Sequence, residues 1–201
     1  MKIIGVTGGS GSGKGEVCKI FAKYGIECID TDKISREITR SGGACLEELL
    51  WHFSDVILDE SGELDRQKLA DIALASKQHH EMLNQITHKH ILEECMEQIA
   101  VLGEEGEDAV IIDAPLLFES KFNRKCAVII SVIAETGARL ERIIRRDNLS
   151  LEQAVQRIES QKDDDFFARN STYVIYNNGT ITDIERQVAD IYTNMLRYYL
   201  I

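Results

Sequence analysis

The residues richest in chemistry lie near the start of the chain, in Gly8-Gly9-Ser10-Gly11-Ser12-Gly13-Lys14, which has the G-x-x-x-x-G-K spacing of a phosphate-binding loop. Glycines there let the backbone turn tightly enough for successive N–H groups to point into one concavity. A helix that begins where the loop ends adds the positive end of its dipole, and Lys14 can reach the β- and γ-phosphates of a nucleoside triphosphate. The flanks fit this reading. Strand-like Ile3-Ile4-Gly5-Val6 comes before the loop, and Val17, Ile20, Phe21 and Tyr24 recur after it at helical spacing, facing inward. A merely flexible Gly/Ser loop needs neither flank. Residue 15 departs from the pattern: Ser or Thr there would offer a hydroxyl to magnesium, and this chain has Gly15. Phosphate binding survives that change better than metal binding does.

Three further groups could act on a bound nucleotide. Asp30-Thr31-Asp32 follows a second strand-like run, at the carboxyl edge where open α/β sheets place their ligands. Asp32 is a candidate general base or metal-shell ligand, and the alternative is an N-cap for the helix starting at Lys33-Ile34-Ser35. Ile111-Ile112-Asp113 is an apolar run ending in a carboxylate, like a Walker B strand, unless Asp113 simply opens a turn. Arg139, Arg142 and Arg146 share one helical face, with Leu140, Ile143 and Ile144 on the other. Such a face suits a lid over triphosphate; otherwise it is a solvated face paired with Glu135, Glu141 and Asp147. His88 and His90, two apart on a helix, face different ways and make no metal site. Asp163-Asp164-Asp165 reads as a solvated acidic cluster.

These groups need a scaffold, and the hydropathy pattern supplies one. Glu27-Cys28-Ile29, Ala109-Val110-Ile111-Ile112, Ala127 to Val132 and Tyr173-Val174-Ile175 join the first run as candidate strands, apolar without alternation and so covered on both faces. Helical segments alternate with them, the last one carrying Ile184, Val188, Ile191, Met195 and Leu196 behind a Thr182…Glu185 capping box. The fold class is therefore α/β, a mostly parallel five-stranded sheet between helices, which with the phosphate loop makes a three-layer P-loop fold. Residues 35–102 show only helical periodicity and turns such as Asp59-Glu60-Ser61-Gly62, and read as a helical insertion on the substrate side. The 201 residues carry 34 acidic against 23 basic side chains, a net charge of −11, the wrong field for coating nucleic acid or an anionic membrane. Five scattered cysteines without a C-x-x-C pair read as reduced thiols, and no run reaches membrane-spanning length or has a signal-peptide pattern, so a cytoplasmic protein is expected.

Taken in order along the chain, these stretches resemble the dephospho-CoA kinase family. Val6 to Lys14 looks like its phosphate loop, and Ile29-Asp30-Thr31-Asp32 with Arg36 like its D-A-D-x-x-A-R element. Gly62-Glu63-Leu64-Asp65-Arg66 with Leu69 resembles its G-x-L-D-R turn, and Asp113-Ala114-Pro115-Leu116-Leu117-Phe118-Glu119 contains its P-L-L-F-E segment, which a generic P-loop kinase lacks. Leu140 to Asp147 with Arg157 and Gln161 resembles its lid, and Tyr173 to Gly179 its last strand and adenine-side loop. The resemblance implies a P-loop core over 1–34, 103–136 and 171–201, a coenzyme-binding insertion over 35–102 and a lid over 137–170. It implies transfer of the ATP γ-phosphate to the ribose 3′-hydroxyl of dephospho-CoA, with magnesium. Asp32 would be the base, and Lys14 and Arg142 the charge stabilisers. ATP would contact Gly9 through Gly15, Arg142, Asn177 and Gly179, and substrate Thr7, Asp32, Arg36, His88, Leu116 and Gln161. Asp32 and Asp113 would lie on the metal side. Departures from the family pattern are Gly15, Thr31 for Ala, Lys89 for Pro, Arg139 for Gln, and Ser171-Thr172 for Ala-Asp. Another small-molecule P-loop kinase, or a paralogue that binds without efficient turnover, are the competing readings, the second motivated by Gly15.

Overall fold

The computed structural model describes residues 1–199. Five strands, β1 (Lys2–Thr7), β2 (Glu27–Asp30), β3 (Ala109–Asp113), β4 (Val128–Ile133) and β5 (Tyr173–Tyr176), form one sheet in the order β2-β3-β1-β4-β5. The β1–β3, β1–β4 and β4–β5 pairs are parallel. These are the strands expected from the apolar runs. The helices between them are α1 (Lys14–Ala22), α2 (Thr31–Ile38), α3 (Ala44–Phe53), α4 (Arg66–Leu74), α5 (Lys77–Glu104), α6 (Thr136–Asp147), α7 (Leu151–Glu159), α8 (Asp164–Arg169) and α9 (Ile181–Tyr198). Among the described residues no helix is long and apolar enough to cross a membrane.

Period two along the strands decides which side chains meet which helices. Ile4 and Val6 of β1, Ile111 of β3 and Val128, Ile130 and Val132 of β4 bury one sheet face against Val17, Ile20 and Phe21 of α1 and Ile184, Val188, Ile191 and Met195 of α9. Each side chain enclosed this way contributes about 1.5–3 kcal/mol. The opposite face is closed as tightly. A Cβ on Gly5 would stand 2.8 Å from Leu117 Cδ2 and 2.9 Å from Cys126 Sγ, so the segment after β3 presses directly on the β1 backbone. Because both faces are covered, the runs are apolar throughout. β1 lies at the centre and runs straight into the glycine-rich loop, where the chain order reverses between β3 and β4.

The chain separates into two compact units, Met1–Ile29 with Leu102 onward, and Asp30–Val101. The second unit is helical and packs its own core of Cys45, Leu49, Phe53, Ile57, Leu69 and Ile86. Its turn at residues 59–62 forms as expected: the Asp59 carboxylate accepts from Ser61 N–H and Oγ and from Glu63 N–H, and Leu58 bridges to Leu64.

Two local expectations need correction. Helix α1 stops at Ala22, so Tyr24 does not point into the core; it is 39% exposed and packs its ring on Tyr192, centroids 4.5 Å apart. The capping box of α9 is Thr180…Asp183, two residues before the expected pair. Both pairs satisfy the pattern, but Glu185 is drawn off by Lys23 at 2.7 Å, while Asp183 reaches back to the Thr180 N–H at 2.9 Å. Thr180→Ala is therefore expected to cost about 1 kcal/mol of stability and Thr182→Ala less than about 0.5 kcal/mol, read from urea unfolding midpoints. The reverse ranking would return the cap to residue 182.

Candidate active site

Glycine geometry sets the loop. Gly8, Gly11 and Gly13 have φ of 141°, 74° and 98°, which L side chains avoid, and Gly13 is the N-cap of α1. At Gly13 the space is also closed, since a Cβ would lie 2.1 Å from Asn177 Nδ2. The loop carbonyls are engaged one by one, Gly9 by the Ser12 N–H within the loop and Gly8, Ser10, Gly11 and Ser12 by side chains. Lys14 Nζ donates to the Gly8 carbonyl at 2.9 Å, Arg139 Nε to Ser10 at 2.9 Å and Arg142 to Gly11 at 3.0 Å. Ser12 takes Asn177 Nδ2 at 2.7 Å and Arg142 at 3.4 Å. With these carbonyls engaged, the amides of the inner wall and of the first turn of α1 are turned toward a common anion site. Gly15 lies in that first turn, exposed, without a left-handed φ, and an added Cβ would meet nothing within 4 Å. Thr7 at the end of β1 and Ser12 within the loop are buried, and among the described residues their hydroxyls make no hydrogen bond.

The arginine face expected on α6 is not the solvated one, because two of its three side chains turn to the glycine-rich loop. Arg139 is buried, pairing with Asp164 at 3.5 Å, and desolvation lowers its pKa against the pull of that carboxylate. Arg142 lies half-buried and grips Gly11, Ser12 and, through its other terminal nitrogen, the Asn177 carbonyl at 3.2 Å. Arg146 alone behaves as a solvated cation, paired with Asp147, which Arg157 also contacts. The spacing placed these residues on one face correctly. What it could not show is that the amino-terminal turn of α6 abuts the loop: Gly11 has room for no Cβ because the Arg139 carbonyl and Cα would stand 2.6 and 2.9 Å away. The acidic run is likewise not purely solvated, since Asp163 caps α8 and Asp164 serves Arg139. Gln161 bonds Ser10 twice, by Oε1 from its N–H at 2.8 Å and by Nε2 to its hydroxyl at 3.0 Å. Asn177 is buried in the same cluster, whereas Gly179 is exposed, its missing side chain leaving room for the Asp183 carboxylate that caps α9.

Asp113 is the last residue of β3, in register with Val6 of β1, so it stands beside the strand that enters the loop. It contacts Cys18 of α1. The Cys18 pKa is raised by its hydrogen bond with Cys28, by burial and by the Asp113 charge, so this sulfur stays a thiol. All five cysteines are free. Leu116, immediately after Pro115, is 51% exposed. In the second unit, Asp30 supplies the N-cap of α2, accepting from the amides of Asp32 and Lys33 at 2.8 and 3.1 Å. The capping alternative for Asp32 is thereby removed. Its carboxylate stands exposed in the first turn of α2, with no hydrogen bond or ion pair among the described residues. Arg36 is exposed in the last turn of the same helix, and His88 is half-buried on α5.

The donor set fits a polyphosphate: a helix start, a glycine loop with its carbonyls held away, and Lys14. Magnesium meets no ready-made cage, since among the described residues no three His, Cys, Asp or Glu side chains gather as a metal site. An ion held chiefly by phosphate oxygens and water needs only one or two carboxylates.

Comparison with known proteins agrees with this geometry. The sequence profile of the family described as dephospho-CoA kinase matches residues 2–183. A dephospho-CoA kinase of Bacillus cereus is 36% identical over 189 residues, 94% of each chain. Among solved structures, the dephospho-CoA kinase from Campylobacter jejuni superposes with a TM-score of 0.70 at 28% identity over 98% of both chains. A Thermus thermophilus protein does so with a TM-score of 0.83 at 26% identity, over 96% of this chain and 97% of its own. A P-loop of this form, the helical unit following β2 and a match along nearly the whole length together place the chain in the dephospho-CoA kinase family.

Proposed function

We propose that the chain transfers the γ-phosphate of ATP to the ribose 3′-hydroxyl of dephospho-CoA, with Asp32 as the base. The observation that carries the reading is the engagement of the loop carbonyls at Ser10, Gly11 and Ser12 by Arg139, Arg142 and Asn177, which leaves the inner wall as a set of amide donors for a polyphosphate. Lys14 stands at the end of that wall and offers its charge to the phosphate oxygens from which the γ-group departs. Arg142 adds a second positive charge at the rim while its N–H groups hold the loop. Asp32 accepts the proton of the attacking hydroxyl, the oxygen bonds to phosphorus and ADP leaves with the bond's electrons. Asp30 makes this possible by taking the capping role at α2, so that the carboxylate at 32 is not spent on backbone amides.

Asp113, and Asp32 where it faces the nucleotide, are the carboxylates that would hold magnesium, which when bound supplies charge to the β- and γ-oxygens. The Gln161 and Asn177 contacts support residues 137–170 as the lid and residues near 177 as the nucleoside side. Arg36, His88 and Leu116 would line the coenzyme.

Mass spectrometry of the product formed from ATP, magnesium and dephospho-CoA tests the reaction. CoA is expected, and phosphorylation of free nucleosides with dephospho-CoA untouched would sink the substrate assignment. Asp32→Asn should lower kcat about 10²–10⁴-fold with ATP affinity intact. A near-normal kcat would move the base elsewhere, with Asp113 next in line. Gly15→Ser enters open space in a helical turn, and Ser is the better helix former. It is expected to lower the magnesium concentration for half-maximal activity, and to tighten magnesium binding to the ATP complex in calorimetry. Superimposable titrations would show that a hydroxyl at 15 adds nothing to the metal shell.

A further inference from the structure

The tip of the loop is held by residues that phosphate binding does not by itself require. Ser10 has an N–H, a hydroxyl and a carbonyl, and all three are engaged by side chains from beyond β4. Gln161 takes the first two at 2.8 and 3.0 Å, and Arg139 Nε donates to the third at 2.9 Å. Arg139 and Gln161 are also joined to each other, NH2 to Oε1 at 3.4 Å, and NH1 reaches Asp164 at 3.5 Å. A guanidinium side chain that is 5% exposed, with one half-exposed carboxylate for a partner, is costly to keep in place. It is nevertheless kept against the loop.

Two loop glycines are shaped by this residue. Gly9 has no left-handed φ, so its backbone would accept any residue, yet a Cβ there would lie 2.2 Å from Arg139 NH2 and 2.8 Å from Cζ, and the three atoms nearest to it all belong to Arg139. Gly11 is excluded from carrying a Cβ by the Arg139 backbone. The Ser10 N–H, turned toward Gln161, is not among the amides facing the phosphates.

We propose that Arg139, acting with Gln161, is a positioning residue for nucleotide binding, fixing the outer turn of the loop at Ser10 so that the inner-wall amides converge before phosphate arrives. A loop held in its binding geometry gives up little freedom when the ligand enters. Released from Arg139, it must be ordered by the nucleotide, which weakens ATP and ADP by the same factor and leaves the chemical step alone. The inference rests on the reading that the loop takes ATP phosphates.

The test combines calorimetric Kd values for metal-free ATP and ADP with KM and kcat for ATP. Arg139→Ala and the bulkier Arg139→Met are expected to raise both Kd values and KM about tenfold, the scale of one lost charge-assisted hydrogen bond, with kcat held within about twofold. Gly9→Ala probes the same contact from the loop side with Arg139 present, so the reading is tested even where an Arg139 variant does not fold. It is expected to displace the guanidinium and give the same rise, and the Gly9→Ala/Arg139→Ala double variant should rise no further. Unmodified protein that binds no ATP would sink the loop reading itself. Binding by the unmodified protein with unaltered Kd values in the variants, or additive losses in the double variant, would overturn the positioning role. So would a lowered kcat with unchanged KM and Kd, which is the signature of lost folded protein.

Discussion

A peptide loop can aim its N–H groups at an anion only by aiming its carbonyls the other way, and buried carbonyls need donors. Most of this structure around the loop answers that requirement. Lys14 curls back to Gly8, Arg139 and Arg142 reach in from α6, and Asn177 reaches in from the end of β5. The sheet order brings these together, because β4 and β5 lie on the same side of β1 and deliver α6 and Asn177 to the carboxyl edge where the loop begins. Glycine supplies the dihedral angles. The fixed position of the loop comes from side chains more than a hundred residues away.

That division explains what could be read from the chain alone. The strands and the loop were legible because their signals are local: a continuous apolar run marks a strand covered on both faces, and the loop's spacing is set by backbone geometry. The α6 arginines were legible as a face but not as contacts, since helical period says which residues point together and nothing about what they point at. Arg139 was thus expected against solvent or ligand and is enclosed against Ser10. The cap of α9 was misplaced because two overlapping pairs satisfy one pattern, and the choice between them depends on Lys23, distant in sequence. Tyr24 lies two residues past the end of α1, so the helical spacing does not carry it inward.

At β2 the chain leaves the sheet with two carboxylates a residue apart, and only one of them serves the backbone. Asp30 satisfies the first amides of α2, and Asp32 is left exposed on the same turn. A sequence pattern scores the two aspartates alike; their different roles are decided by which one has the extended dihedral angles of a cap, and Asp30 has them. Asp113 shows the opposite condition, a carboxylate at a strand end set against a thiol that stays protonated.

The order in which the chain is made gives the arrangement of the loop a temporal side. The loop is complete by residue 14, but the distant donors to its carbonyls arrive at residues 139, 142 and 177. At ordinary synthesis rates of about 5–20 residues per second, roughly ten to thirty seconds separate the emergence of the loop from that of its last donor. Through that interval a nascent chain carries the glycines without the frame that orients them. The frame that orients the loop is therefore complete only in the nearly finished polypeptide.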